Sequence, residues 1–479
     1  MQDSIIYVIG LALSLVYLLG LIASVDALLR TKNSQSAIAW SLSLIMFPIL
    51  VLPIYLIFSG RHFIGYVSAR LQGEDEINKM AVRISNNLLP KVKAHFELFP
   101  SYFEVLEKLA KLPFARYNHA KLLIDGQATF DAIASHIEKA EEYILFQFFI
   151  VKDDQLGNKL KELLVNKARQ GIRVYFMYDS IGSHSLSQKY VNELIDAGIQ
   201  VVAFCGTKGK KARRFQINFR NHRKIVVIDG HSAFVGGHNV GDEYLGKHPK
   251  LSPWRDTHVL VQGPAALGVQ ITFLEDWNWM EGQFPELNWV PLIDEEQDQR
   301  VLVVPSGPSD SLSTCGLMFS QLIHTAQKRV WIVSPYFVPD DTVISALQLA
   351  VMRGVDVRIM LPENPDHLMV YLAGFSYLAE TVLHGIRVFK YQKGFLHQKV
   401  ILVDEALAGV GTANFDNRSF HLNFELTILF ADDPIIRDVE EMLLTDFSHC
   451  RELSMQDIEN RSLIFKLAVR IARLLSPLL

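Results

Sequence analysis

The pattern His-x-Lys-x-x-x-x-Asp occurs twice in this chain, as His222, Lys224 and Asp229 in HRKIVVID and as His397, Lys399 and Asp404 in HQKVILVD. A chance match is expected at roughly 0.04 per chain of this composition, so coincidence is a poor account of two. Each match is followed by a similar turn, VGGHN at 235–239 and VGTAN at 410–414, which puts Asn239 and Asn414 at equivalent positions. An imidazole and an ammonium two residues apart suit a phosphate oxygen. Two such halves face to face supply both ends of a phosphoryl transfer.

The spacing sets what must hold these groups. Side chains two apart on a β-strand share a face, so each histidine and its lysine are expected to look into one pocket while IVVI or VILV is buried in a sheet. The aspartate sits at an odd offset from the histidine, on the other face or at the strand's end. There it is expected to tie down a loop.

The doubled motif resembles the phospholipase D superfamily. The segments GDEYLG, WRDTH and NFDNRSFHLNFE, with an apolar N-terminus, extend the likeness to the bacterial cardiolipin synthases over the whole length. The resemblance implies a catalytic set of His222, Lys224, Asp229, His397, Lys399 and Asp404. One histidine attacks phosphorus to give a covalent phosphohistidine; the other protonates the leaving alkoxide and then activates the incoming alcohol, which splits one hard displacement into two easier ones. One imidazole must then be neutral and the other protonated, so their pKa values are expected to be pushed apart. The resemblance offers Asp256 and Glu425 as carboxylate partners. Lys224, Lys399, Asn239 and Asn414 are expected to hold the non-bridging oxygens. No metal or other cofactor is implied. The chain departs from the common family turn, Gly-Ser before the asparagine, with Gly236-Gly237 in one half and Gly411-Thr412 in the other.

Around the motifs, strand-like and helix-like segments alternate: strands at 121–125, 143–151 and 172–179 with a helix over 156–170, then strands at 330–338 and 355–362 with a helix over 341–353. This order predicts mostly parallel sheets covered on both faces and related by a pseudo-twofold axis. The expected fold class is α/β: two tandem phospholipase D-like α/β/α sandwich units behind an N-terminal transmembrane helical hairpin. Residues 1–60 would form the hairpin, with helices at about 4–25 and 34–60, and 61–115 a helical connector. The first unit would span 116–290 and the second 306–455, joined by an acidic linker over 291–305 and followed by a basic amphipathic helix over 456–479. The 22 uncharged residues from Ser4 to Val25 and the 27 from Ser34 to Gly60 exceed the roughly 20 that a spanning helix needs. Pro48 and Pro53 would kink the second, leaving a re-entrant segment open. Charges flanking the hairpin are nearly balanced, and the resemblance suggests a multi-pass protein of the bacterial inner membrane with its catalytic units facing the cytoplasm.

A net charge of −4 hides a run of eight basic residues between Lys208 and Lys224. Arg213, Arg214 and Arg220 in it are candidates for anionic headgroups, against a plain solvated loop or a nucleic-acid patch that the apolar hairpin disfavours. In the last segment Lys466, Arg470 and Arg473 form a basic stripe at i, i+4 and i+7 on an apolar helix, which suits either a membrane interface or a dock on the catalytic units. Cys205, Cys315 and Cys450 are too scattered for zinc or a disulfide framework, and His231, His238, His248 and His258 lack a metal-ligand spacing. The expected reaction joins two phosphatidylglycerol molecules into cardiolipin with release of glycerol, in a bilayer and without nucleic acid. The competing reading is a phospholipase or nuclease in which water resolves the phosphohistidine, and a non-enzymatic lipid-binding scaffold is a third.

Overall fold

In a computed structural model of the chain the described residues are 2–30, 34–58, 89–96, 100–204, 218–431 and 434–479. Most of the connector expected at 61–115, the basic residues Lys208 to Arg214 and Cys205 lie outside them.

Among the described residues, sixteen strands belong to one sheet. From one edge it runs Gln200–Phe204, Arg173–Asp179, Tyr143–Phe148, Ile225–Ile228, Ser232–Gly236, Thr257–Gln262 and Ala115–Ile124. There Ala115 pairs with Val301 and Asn118 with Gln299. The same order then returns in reverse: Gln299–Ser306, Asn423–Ala431, Leu407–Gly411, Val400–Val403, Arg329–Val333, Asp356–Pro362 and Arg387–Tyr391, with Cys450–Glu452 beyond. The pseudo-twofold is therefore visible in strand order alone. The sheets are mixed, not mostly parallel as expected. In each half three neighbouring strands are parallel, Tyr143–Phe148, Arg173–Asp179 and Gln200–Phe204 in the first and Arg329–Val333, Asp356–Pro362 and Arg387–Tyr391 in the second, where helices cross over; the motif-bearing hairpins and the edge strand Cys450–Glu452 run antiparallel. The expected linker also ends early. Residues 299–305 form a core strand with Val301, Leu302, Val303 and Val304 buried, because QRVLVV carries the apolar run that a doubly paired strand needs.

Helices Asp125–Lys139, Gln155–Arg169 and Gln188–Asp196 cover the outer face of the first half, and Thr314–Thr325, Asp341–Met352 and Leu368–Leu383 that of the second. Between the halves, Pro264–Glu281 and Pro434–Phe447 pack into one apolar cluster drawn from both. That shared core fixes the halves against each other.

The motif's length now has a local cause. Its four unspecified residues are the strands Ile225–Ile228 and Val400–Val403, so the lysine precedes each strand and the aspartate ends it. His222, Lys224, His397 and Lys399 thus stand just before the strands, not on them as expected. Asp229 and Asp404 turn the chain with φ of 53° and 51°, a left-handed conformation that aspartate adopts more readily than most residues. Asp229 accepts backbone N–H bonds from Glu141, Glu142 and Tyr143 at 2.9, 2.8 and 2.8 Å, and Asp404 those of Gln327, Lys328 and Arg329 at 2.9, 2.8 and 2.8 Å. Each carboxylate locks its hairpin to the start of the neighbouring parallel strand.

At the N-terminus a helix over Gln2–Arg30 is apolar on every side, and its segment Ile5–Leu29 is 25 residues long, with mean hydropathy 2.6 and 6% buried, long enough to cross a membrane. The second expected spanning helix is divided into Ser34–Met46 and Pro48–Phe58, neither of which reaches that length alone. Pro48 has no N–H to continue the ladder, and the chain bends there. Both pieces pack on the first helix: Tyr55 Oη donates to Asp26 Oδ2 at 2.8 Å, and Gly20 lies so close that a Cβ would meet Pro48 Cβ at 2.7 Å.

Because Asp404 makes three backbone hydrogen bonds and contacts neither histidine, Asp404→Ala is expected to lower unfolding free energy by about 2 kcal/mol. Turnover per folded molecule should persist. Thermal unfolding in detergent beside a specific-activity assay checks this, and a loss of activity as deep as that of a histidine variant would contradict it.

Candidate active site

Two-residue strands carry the histidines across the molecule. Arg220–Asn221 pairs in parallel with Asn423 and Phe424, and His222 N donates to Phe424 O at 3.0 Å. Phe395–Leu396 pairs in the same way with Trp254 and Arg255, and His397 N donates to Arg255 O at 2.8 Å. The next residue opposite each histidine is then an acid of the other half. Glu425 holds His222 Nδ1 at 2.9 and 3.0 Å through its two oxygens, and Asp256 Oδ2 holds His397 Nδ1 at 2.7 Å. The partners are crossed: each histidine takes the acid that follows the other motif.

The carboxylates fix the tautomer, with Nδ1–H toward the acid and Nε2 left as the reactive nitrogen. Both histidines are 8% exposed, and burial pulls both pKa values down to about 4, with the neighbouring lysines adding and the carboxylates opposing. The expected separation of the two pKa values is therefore not what the structure shows. The environments differ in one contact, the Lys399 ammonium lying 2.7 Å from His397 Nδ1 where Lys224 reaches only the His222 carbonyl, yet burial favours the neutral form of both imidazoles. Burial also lowers both lysines, Lys224 well below the usual range and Lys399 to about 8. Lys224 Nζ donates to His222 O at 2.6 Å, and Lys399 Nζ to His397 O at 2.5 Å. Burial pushes Glu425 up, but His222, Lys224 and Thr412 outweigh it and leave the carboxyl below its ordinary range.

The acids are held differently. Glu425 accepts from Thr412 Oγ1 at 2.5 Å, Ser419 Oγ at 2.9 Å and Asn423 Nδ2 at 3.2 Å. Asp256 accepts from its neighbour Thr257 N at 2.8 Å and from the Trp254 indole at 3.4 Å. Gly237 stands where Thr412 stands in the second half, and a Cβ there would meet Asp256 Oδ1 at 1.9 Å. The missing hydroxyl noted in the sequence is thus a space that the Asp256 carboxylate fills.

The asparagines do not match. Asn239 Oδ1 accepts from Ile150 N at 3.1 Å and its amide donates to Tyr244 Oη at 3.0 Å, whereas Asn414 Oδ1 is buried without a partner. Arg220, expected on a headgroup patch, is a correction. It is 4% exposed and bonds Asp179 Oδ1 at 3.1 Å, a buried carboxylate that could not stay charged without it. Arg213 and Arg214 lie outside the described residues. Asp276 ties Gln147, Asn221 and Arg223 together at 2.7–2.8 Å behind the first motif. His238 and His258 are buried with their Nδ1 atoms 3.1 Å apart, and His231 and His248 make ordinary hydrogen bonds. Among the described residues no group of three or more His, Cys, Asp or Glu could hold a metal. Sequence reasoning gave no role to Tyr244, Ser419, Asn423 or to Trp254, whose ring lies 5.0 Å from His397. All four fall in the segments GDEYLG, WRDTH and NFDNRSFHLNFE, so their signal was present without a geometry to interpret it.

A family model described as cardiolipin synthase, PLD-like domain, matches residues 133–251 and 319–447. Cardiolipin synthase A of Pseudomonas putida strain F1 is 48% identical over 480 residues, covering 99% of this chain and 99% of its own. The chain belongs to the cardiolipin synthase family. Cardiolipin synthase A of Pseudomonas syringae pv. syringae strain B728a is 46% identical at the same coverage. Among solved structures, phosphatidylserine synthase of Haemophilus influenzae Rd KW20 covers 79% of this chain and 100% of its own with a TM-score of 0.59 and 16% identity, a likeness of fold. Membership makes the chain a phosphatidyltransferase of the phospholipase D superfamily.

Gly237→Ser, which restores the common family turn, is expected to displace Asp256 from His397 and cut turnover by at least about tenfold, while Thr412→Ser, which keeps its hydroxyl, should cost little. Steady-state rates with matched unfolding curves measure both.

Proposed function

We propose that the chain transfers a phosphatidyl group from one phosphatidylglycerol to the primary hydroxyl of another, releasing glycerol and making cardiolipin. The observation that carries this is the crossed pair of carboxylate-held histidines, which gives a nucleophile and a proton carrier in one site. Nε2 of one histidine attacks phosphorus, the phosphorus–oxygen bond to glycerol breaks, and the other histidine gives its proton to the departing oxygen. The acceptor hydroxyl then returns a proton to that second histidine as its oxygen bonds phosphorus and the phosphorus–nitrogen bond breaks. Each proton given is recovered, and one phosphodiester replaces another.

A neutral imidazole is the right start for the nucleophile. The proton carrier gains its proton when the phosphodiester anion enters, because a negative charge beside a buried imidazole raises its affinity for a proton. Lys224 and Lys399 meet the non-bridging oxygens, and preorganised charge in a water-poor site counts for more than it would in water.

The membrane reading has two parts. The kinked pair Ser34–Met46 and Pro48–Phe58, stacked on the first helix, crosses with it as a multi-pass anchor at the inner membrane. The C-terminal helix Leu463–Arg473 lies on the bilayer surface: it buries Val469 and Ala472 against Leu368–Leu383, and leaves Leu463, Ile464, Leu467, Ile471 and Leu474 exposed beside the basic stripe.

Purified chain in mixed micelles with labelled phosphatidylglycerol should yield labelled cardiolipin and equal glycerol, and both His222→Ala and His397→Ala should abolish them. Phosphatidic acid as sole product would favour the hydrolase, and cleavage of DNA without lipid turnover would remove the lipid reading. A Leu467→Glu, Ile471→Glu double variant should lower turnover on anionic vesicles more than in micelles; equal effects would remove the surface role of the helix.

A further inference from the structure

A cleft in the second half, open to solvent on one side, is lined by Tyr336, Asp366, His367, Tyr371, Phe375 and Lys390 among others. It opens beyond the carboxyl ends of the parallel strands: Tyr336 follows Arg329–Val333, Asp366 follows Asp356–Pro362, and Lys390 is next to last in Arg387–Tyr391. In open α/β sheets this is where ligands bind. The catalytic histidine leaves the sheet at the same end, because Val333 pairs with Val400 and His397 lies just before that pair. Asp366 is near enough that its charge acts on both His397 and Lys399.

Two polar groups in this otherwise apolar cavity are under-used. Lys390 is 6% exposed, donates to Pro362 O at 3.3 Å, has its ammonium 5.8 Å from the centre of the Tyr371 ring, and among the described residues has no carboxylate in an ion pair with it. Burial lowers its pKa only to about 8, so it keeps most of its charge near neutral pH. Asp366 accepts from Tyr336 Oη at 2.7 Å through Oδ2, while its Oδ1 is buried without a partner. Lys390 has only a carbonyl within hydrogen-bond reach, with the charge of Glu363 acting on it from outside ion-pair range, and Asp366 Oδ1 lacks a donor although its other oxygen lies 3.6 Å from His367 Nε2; each is costly to bury unless a ligand completes it. The complementary ligand has an anion for the lysine and hydroxyls for the carboxylate. Among the described residues the first half has no such pair: in the matching parallel register Tyr178 faces Ala203 where Leu361 faces Lys390.

We propose that this cavity is the acceptor subsite, where Lys390 takes the phosphodiester of the second phosphatidylglycerol and Asp366, with Tyr336, takes its glycerol hydroxyls. The assignment rests on the transfer reading above and adds which half of the molecule receives the second lipid. The acceptor's free hydroxyl is thereby turned toward the phosphohistidine, where it loses its proton to the other histidine as the new phosphorus–oxygen bond forms. Asp366 and Lys390 bind and orient; neither takes a proton in the reaction. The same wall serves the lipid's tails. Tyr371 and Phe375 also pack on Phe465 of the C-terminal helix, with ring centres 6.5 and 4.9 Å apart, and that helix turns its exposed leucine and isoleucine face outward.

The test is the ratio of cardiolipin formed to glycerol released, measured on the full chain in micelles of labelled phosphatidylglycerol for wild type, Lys390→Met and Asp366→Ala. A damaged acceptor site leaves the phosphohistidine to water, so the ratio should fall at least about tenfold in both variants, with phosphatidic acid making up the difference. A structural defect alone would lower both products together and leave the ratio unchanged. An unchanged ratio in the variants, with cardiolipin made by wild type, overturns this site and leaves the transfer reading intact; absence of cardiolipin from the wild type overturns both. Should Lys390→Met release no glycerol, Asp366→Ala decides, because that side chain sits at a partly exposed loop and its removal spares the sheet.

Discussion

The site depends on two parallel pairings that are only two residues long. Arg220–Asn221 against Asn423 and Phe424, and Phe395–Leu396 against Trp254 and Arg255, set which residue stands opposite each histidine. A slip of one residue would replace Glu425 or Asp256 by a neighbour whose side chain points to the other face. Pairings this short have little stability of their own, so the register must be imposed from outside. The shared apolar core of Pro264–Glu281 and Pro434–Phe447, and the junction of Ala115–Ile124 with Gln299–Ser306, impose it. Neither half contains a complete histidine–acid pair, which is why both copies must lie in one folded unit.

The same crossing governs the electrostatics. Lysines, histidines and carboxylates are all buried within a small volume, and burying charge is costly unless every group is met. Here the two histidine–acid pairs cross between halves, and the charges behind the first motif pair within it. Glu425 is answered by His222 and three side-chain donors, Asp276 by Arg223 and two amides, and Asp179 by Arg220 and backbone N–H groups. Such a network tolerates few alternative arrangements, so the reactive nitrogens are fixed before a substrate arrives. Neutral histidines follow from the same balance: burial of the imidazoles outweighs the pull of Glu425 and Asp256 toward the charged form.

How much of this the sequence disclosed depended on the range of the interaction. Local periodicity located within a few residues the strands Tyr143–Phe148, Arg173–Asp179, Arg329–Val333 and Asp356–Pro362 and the helices Gln155–Arg169 and Asp341–Met352, and left others, such as Gln200–Phe204 and Arg387–Tyr391, unread. The motif itself predicted that Asp229 and Asp404 end the strand and tie a loop, since strand length is a local property. The helical N-terminus was also legible, though Pro48 divides its second segment. What failed was non-local. The mixed sheet, the crossed acids and the burial of Arg220 all depend on which distant segments meet, and one chain read without its pairings holds no record of that. The acidic run before Gln299 read as a linker because four charges outweigh the onset of an apolar pattern. Asp298, the last of them, instead pairs with Arg116 at the junction of the halves.

The two halves are copies in outline and different where the substrates must differ. A symmetric site would bind two identical phosphodiesters equally, yet the proposed transfer would require one lipid to give up its headgroup while another keeps it and offers a hydroxyl. The departures from symmetry gather around that requirement. Thr412 and Ser419 grip Glu425, while Gly237 makes room for Asp256; a buried histidine pair, His238 and His258, occupies the positions of Ala413 and Thr427; Lys390 replaces Ala203. The strands, turns and motif residues that build the half-sites stayed paired, because changing either copy alone would break a contact with the other. Divergence was open only to side chains that touch one half. Those are the positions able to tell a donor from an acceptor, so the folding constraint that preserves the twofold also confines substrate discrimination to its exceptions.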